Sequence, residues 1–394
     1  MLSISEVILG YVSGFGILQG VLLSLLIYFH PKADKSVGKF LALFIFCFSL
    51  VMTLPFFVQA FSWKISYLWQ PLPLLTGPLI YLYVRSFKEV ISLKKALPHF
   101  LVFVVYYLPT YWNVMDIAAA YPTSKTIPEE AFYRPMTIVL NYLKMSQSVI
   151  YYFLAMKTLR SYQRTIKNLF SETTNIELRW GRFLLNGFVL IVFTSMIMFG
   201  LMIRFPQHFN LLMLLTMAIA TPYVYIITYK GVMQPTIWQK GIEKHEIEEV
   251  IQEEEKLALQ TAAPPQTRVV KTIATGVKID ETILKITSLM EQDKLYQETD
   301  LTLQTLADKL KIPSYQVSQA INDGMNKNFY DLINSYRVEE AKRLLLNPRN
   351  RNYTILSVGF EAGFNSKTTF NTVFKKFTGL TPTDFRVKEE MALA

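Results

Sequence analysis

Between Ser366 and Phe377 the stretch SKTTFNTVFKKF turns Lys367, Thr368, Asn371, Thr372, Lys375 and Lys376 away from Phe370, Val373, Phe374 and Phe377, which recur at helical spacing. The outward side chains are cationic or hydrogen-bonding, and no carboxylate stands among them. That chemistry suits a polyanion whose edges also donate and accept hydrogen bonds. Nothing comparable points to catalysis. His30, His99, His208 and His245 are scattered without metal-ligand spacing, and the chain has no paired carboxylates, phosphate loop or nucleophile motif. No catalytic residue, metal site or cofactor is expected, and Cys47, the only cysteine, excludes an intramolecular disulfide.

The elements that position this face are legible around it. Ser366 is a candidate N-cap, Gly379 a helix stop, and Pro382 lies just beyond. Upstream, TILSVGFEAG (354–363) predicts a shorter helix that closes at Gly363 and a tight turn. Helix, turn with Gly, second helix is the helix-turn-helix plan, in which the second helix enters the major groove of DNA. The plan occurs twice. DLTLQTLADKLKIPSYQVSQAINDG (300–324) predicts a helix over 303–310, a turn at 311–313, and a second helix from Ser314 that presents Tyr315, Ser318 and Gln319 outward and stops at Gly324.

Between the two units runs NFYDLINSYRVEEAKRLLL (328–346). As a helix it spans about 28 Å, against major-groove faces that recur every 34 Å or so. Phe329, Leu332, Ile333 and Tyr336 form one apolar stripe, and Val338, Ala341, Leu344 and Leu345 form another rotated by about 140°. A helix with two stripes is expected to brace two subdomains.

The rest of the chain has a different composition. Of 394 residues, 51% are hydrophobic and only 18% charged, and nearly all the long apolar runs lie before residue 230. A bilayer core takes roughly 20 mostly apolar residues of helix. Seven stretches qualify: 8–29, 40–59, 67–86, 97–115, 136–157, 183–203 and 209–229. The first carries no charged n-region and is too long for the apolar part of a secretory signal. Alternate connections hold Lys32, Lys35 and Lys39, then Arg85, Lys88, Lys94 and Lys95, then Lys157, Arg160, Arg164, Lys167, Arg179 and Arg182. The other connections hold only Lys64, Lys125, Arg134 and Arg204. Positive charge marks the cytoplasmic side, so the N-terminus is expected outside and everything after Tyr229 in the cytoplasm.

Inside the fifth stretch Asn141, Lys144 and Ser148 share one side, with Gln147 adjacent. An ionisable residue at membrane depth faces a bundle interior or a wet cavity as a rule, which makes this cluster a candidate site; snorkelling or a carbonyl partner is the plainer reading of Lys144. In the first stretch Gly10, Gly14, Gly16 and Gly20 fit close helix contact. Residues 231–276 are expected to connect the two halves. Their acidic part, 242–259, reads either as a short coiled-coil stalk that would make a homodimer or as a solvated helix, and the stretch onward to Gly276 reads as linker.

From 300 to 386 the residues resemble the AraC/XylS transcription regulators. The landmarks are Leu306-Ala307, the 334–345 run with Arg337 and Ala341, Gly363-Phe364, Phe370, Phe374-Lys375-Lys376, Gly379, Thr381-Pro382 and Phe385-Arg386. The resemblance implies that helices 314–322 and 366–377 enter the major groove. Gln319 stands where the family usually has Arg, which leaves the base preference at that unit open, and Gly359 stands where it often has Ala, which implies looser seating of helix 354–361. Tyr315, Ser318, Gln319, Lys367, Thr368 and Thr372 are candidates for base edges. Arg337, Lys342, Arg349, Arg351, Lys375 and Lys376 are candidates for phosphates.

The expected protein is all-α: a seven-helix transmembrane sensory domain (1–230), an acidic helix and linker (231–276), and an AraC-type domain of two helix-turn-helix subdomains joined by a long helix (277–394). Its expected role is that of a transcription regulator in a bacterial inner membrane, with duplex DNA, lipid, an unknown stimulus and, for an activator, RNA polymerase as partners. The alternative is a transporter or membrane enzyme with an appended DNA-binding module.

Overall fold

A computed structural model describes residues 4–30, 35–53, 62–173, 178–232 and 268–393. The described chain is all-helical; its only non-helical pairing is a single bridge between Phe170 and Thr302. It divides into two compact units, one of Met1–Tyr162 with Leu178–Lys244 and one of Gln163–Glu177 with His245–Ala394.

The first unit contains helices α1 (Ile4–Phe29), α2 (Lys35–Val51), α3 (Pro73–Arg85), α4 (Leu101–Ala120), most of α5 (Pro135–Leu169), α6 (Arg179–Arg204) and α7 (Phe209–Val232). Each of the seven expected apolar stretches thus carries a helix. Two helical stretches, Leu93–Ala120 and Trp180–Arg204, are long and apolar enough to cross a membrane, while Gly14–Phe29, Val37–Val51 and Leu211–Ile227 are apolar but shorter. The third expected span is the shortest, because Pro71 and Pro73 restart the chain after a 3-10 turn at Trp63–Leu68; its 13 residues reach about 20 Å. Part of the second, 54–59, lies outside the described residues.

Close contact in this unit is made where side chains are missing. A Cβ on Gly20 would fall 1.7 Å from the Ser49 hydroxyl, which donates to Ile45 O at 2.7 Å, and one on Gly16 would meet Met52. Gly14 meets nothing within 4 Å. The outer faces are apolar: on α1, Tyr11, Phe15, Leu18, Leu22 and Leu25 form one exposed row, and on α4 Leu101, Val104, Leu108 and Trp112 form another.

The second unit contains α8 (Arg268–Glu291), α9 (Leu303–Leu310), α10 (Ser314–Gln319), α11 (Phe329–Leu346), α12 (Ile355–Glu361), α13 (Lys367–Thr378) and α14 (Pro382–Leu393). Helix α8 begins within the stretch expected as linker. Val270, Ile273 and Val277 recur at helical spacing of their own there, on a different face from Ile283, Ile286 and Met290. The acidic stretch 242–259 lies outside the described residues.

Helix α11 does carry two stripes. Val338, Ala341, Leu344 and Leu345 join Val358, Phe364, Phe370, Phe374 and Phe385 in one core. On its other side Phe329, Leu332 and Ile333 are buried, and Tyr336 stacks on Tyr296 with centroids 5.8 Å apart.

Candidate nucleic-acid interface

The second subdomain is set by its caps. The Thr354 hydroxyl accepts from the Ser357 N–H at 3.0 Å and the Ser366 hydroxyl from the Thr369 N–H at 3.1 Å, so α12 and α13 both start on a satisfied donor. Gly363 makes the turn between them with φ +97°, and Gly379 ends α13 with φ +78°. Gly359 does the reverse of loosening. A Cβ there would lie 2.6 Å from Cδ1 of Phe370, so its absence lets the ring press against the α12 backbone.

This frame leaves Lys367, Thr368, Thr372, Lys375 and Lys376 exposed along α13. Lys367 and Lys375 form no ion pair among the described residues. Lys376 does: its Nζ donates to Asp331 Oδ1 on α11 and lies 5.9 Å from the Tyr330 ring.

The first subdomain is built differently. Thr302 caps α9 through the Thr305 N–H, and Lys311 turns the chain with φ +56°. Helix α10 starts at Pro313 without a side-chain cap and passes into a π-helical turn over Ala320–Gly324. Tyr315 is exposed, with its hydroxyl accepting from Gln316 Nε2, and Ser318 and Gln319 are half-exposed. Asn322 Nδ2 donates to the Ser318 hydroxyl at 3.2 Å. The expected reading helix 314–322 is therefore α-helical only to Gln319. At the end of the π-helical turn, Gly324 lets α8 pass so near that a Cβ would fall 2.5 Å from Ile283 Cδ1.

Arg349 and Arg351 are exposed and without an ion pair among the described residues. Lys342 is held by Glu339 on its own helix at 2.9 and 3.0 Å. Arg337 overturns its expectation. It is fully buried, and Nε donates to Tyr296 O at 2.7 Å while Nη2 donates to Glu298 O at 2.7 Å and lies 3.3 Å from the Ser171 hydroxyl. Burial lowers its pKa to about 10, opposed by the nearby Glu172 carboxylate. No phosphate can reach such a group; it is a structural tie. The signal was in the spacing, since Arg337 falls four residues after Ile333 and four before Ala341, both apolar. Asp331 and Ser171 carried no comparable signal, because each matters through a partner that the helix period does not reveal.

In the first unit the polar residues of α5 make short-range bonds. Lys144 Nζ donates to Asn141 Oδ1 at 2.9 Å, Asn141 Nδ2 to Thr137 O, and Ser148 to Lys144 O. Gln147, buried, instead reaches α3 through Leu74 O at 3.1 Å. Of these four residues only Gln147 reaches another helix by a direct hydrogen bond.

Comparison with known proteins finds a family match within the second unit. Residues 306–388 match the family described as a helix-turn-helix domain. An uncharacterized HTH-type transcriptional regulator in the cgkA 5' region of Pseudoalteromonas carrageenovora is 27% identical over 113 residues, 29% of this chain and 64% of that protein. An uncharacterized HTH-type transcriptional regulator of Staphylococcus aureus strain COL is 26% identical over 102 residues, 26% of this chain and 13% of that protein. The chain thus spans less than two thirds of the length of either relative, and no solved structure matches it. Residues 306–388 thus match a helix-turn-helix domain of the AraC type within a longer helical chain.

Proposed function

We propose that the protein is a membrane-bound, sequence-specific DNA-binding transcription regulator whose first unit senses a stimulus. The observation that carries the DNA half is the outward face of α13, where Lys367, Thr368, Thr372 and Lys375 stand exposed without a carboxylate on that helix. In this reading Lys367, Thr368 and Thr372 with Tyr315, Ser318 and Gln319 read base edges, and Lys375, Lys376, Lys342, Arg349 and Arg351 meet phosphates. Lys376 and Lys342 do so only by leaving Asp331 and Glu339.

The membrane half is supported by the exposed apolar rows on α1 and α4, which water would penalise and acyl chains would not. Loop charge supports a seven-span arrangement with the N-terminus outside and the helix-turn-helix domain in the cytoplasm. Asn141, Lys144, Gln147 and Ser148 are the candidate stimulus site of this domain.

Two measurements test the reading. Alkaline phosphatase fused within 122–128 should be active and within 88–92 inactive; the opposite pattern would sink the topology. Intact protein in detergent, challenged with a random duplex pool at moderate salt, should enrich one motif. An unenriched pool would remove sequence-specific binding.

A further inference from the structure

We infer that the segment Phe170–Thr173 is a docked clasp on the joint between the two helix-turn-helix subdomains, and that control over the DNA-binding domain is exerted by seating or releasing it. Although it lies some 130 residues upstream, this segment belongs to the same compact unit as His245–Ala394. The inference deepens the membrane-regulator reading and rests on it for the word control.

Ser171 is fully buried and uses every polar group it has. Its N–H and its hydroxyl donate to Leu301 O, at 3.2 and 2.7 Å. Its carbonyl accepts from Asn334 Nδ2 at 2.9 Å, and its hydroxyl receives Arg337 Nη2 at 3.3 Å. Phe170 bridges to Thr302, the residue that caps α9. Thus one residue touches the strap entering the first subdomain and two buried side chains of α11, one turn apart.

The place matters more than the number of bonds. Arg337 also donates to Tyr296 and Glu298, and Gly363, the turn of the second subdomain, would collide with Tyr296 O if it carried a Cβ. Strap, α11 and the second turn therefore meet around one guanidinium, and Ser171 closes the arrangement. Buried polar groups that lose a partner are costly, so releasing the clasp loosens the joint on which the relative pose of α10 and α13 depends. The chain up to Tyr162 and from Leu178 belongs to the other unit, so the clasp is tethered at both ends to the part read as sensory.

The test uses the full chain in detergent micelles and hydrogen exchange. The Ser171 amide should exchange at least about a hundredfold more slowly than an unstructured amide; exchange at the unstructured rate overturns the clasp. Ser171→Ala, which keeps the backbone bonds, should speed exchange at 296–302 by roughly tenfold and leave 370–375 unchanged. Ser171→Trp should do so more strongly, and no change in either variant overturns the clasp as well.

For control, transcripts are compared between cells carrying wild type, Ser171→Ala and a deletion, at equal membrane abundance. A Ser171→Ala profile distinct from wild type supports the inference, and one identical to wild type despite faster exchange overturns it. Active alkaline phosphatase fused at 171 would sink the membrane topology instead, leaving the exchange result intact, so the two failures are told apart.

Discussion

The second helix of the first helix-turn-helix subdomain has six α-helical residues and that of the second subdomain has twelve. The second is clamped at both ends, by Ser366 and Gly379, and backed by Phe364, Phe370, Phe374 and Phe385 with successive ring centroids 5.0, 5.6 and 5.4 Å apart. Aromatic rings in such contact add about 0.5–1.5 kcal/mol per pair beyond the area they bury. The first has no side-chain cap, a small aliphatic core of Val317, Ala320 and Ile321, and no cation on its outward face. One plan has thus been given two jobs. In the proposed reading the second subdomain, stiffly braced and cationic outside, both anchors and reads, while the neutral first subdomain only reads.

Removing the shared tie should break the contrast most deeply. Arg337→Ala leaves four acceptors without their donor and opens a void, at a cost of about 3–5 kcal/mol. Thermal unfolding of the intact chain should show both subdomains losing protection together. If only the second loosens, Arg337 does not belong to the joint and the contrast must be redrawn.

A change inside the anchor should separate the two. Gly359→Ala puts a methyl 2.6 Å from the Phe370 ring, and overpacking of that kind costs about 1–3 kcal/mol. Exchange should rise across 355–378 and stay flat across 303–321. Equal loosening of both would show that the second subdomain is not the independently braced one.

That glycine also marks where sequence reasoning reaches its limit. The start and stop of α13 were legible because Ser366 and Gly379 announce them locally, and α9, α11 and α12 because their apolar residues keep helical spacing. Which neighbour fills the space over Gly359 is a tertiary fact, and the departure from Ala looked like loss where it is close fit. Arg337 was misread because a charge suggests solvent, although its register pointed inward. Ser171 was out of reach altogether, since its partners lie 130 to 166 residues away. In the first unit the helices were legible and their lengths were not, because Pro73 begins α3 too late for a full span.

On DNA the comparison takes a quantitative form. Lys375→Ala should weaken binding about equally across sequences and reduce the slope of log affinity against log salt by about 1. Gln319→Ala should leave that slope alone and relax selection at one or two base pairs, by about 1–3 kcal/mol of discrimination. Binding of the intact protein to the motif enriched from a random pool, measured at several salt concentrations, separates the two. A salt slope that changes with Gln319 and not with Lys375 would exchange the roles of the subdomains.

The smallest effect concerns α11, the helix that both subdomains share. Hydrogen bonds from Arg343 hold the Glu340 carboxylate below its usual range against the cost of burial, with Lys294 adding at 3.5 Å. A carboxylate whose folded pKa is depressed contributes stability above its unfolded value near 4.3, and the contribution fades as pH falls through the folded value. Glu340→Gln should therefore cost about 0.5–1 kcal/mol at pH 7, since Arg343 is largely exposed. As pH falls from the unfolded value of about 4.3 through the lower folded one, the two proteins should converge in melting temperature. Lys294 precedes the strap that Arg337 grips, so the loss should appear first as faster exchange at 295–302. A loss confined to 355–378 would place Glu340 with the anchor and remove the shared helix from the account of how the reader is seated.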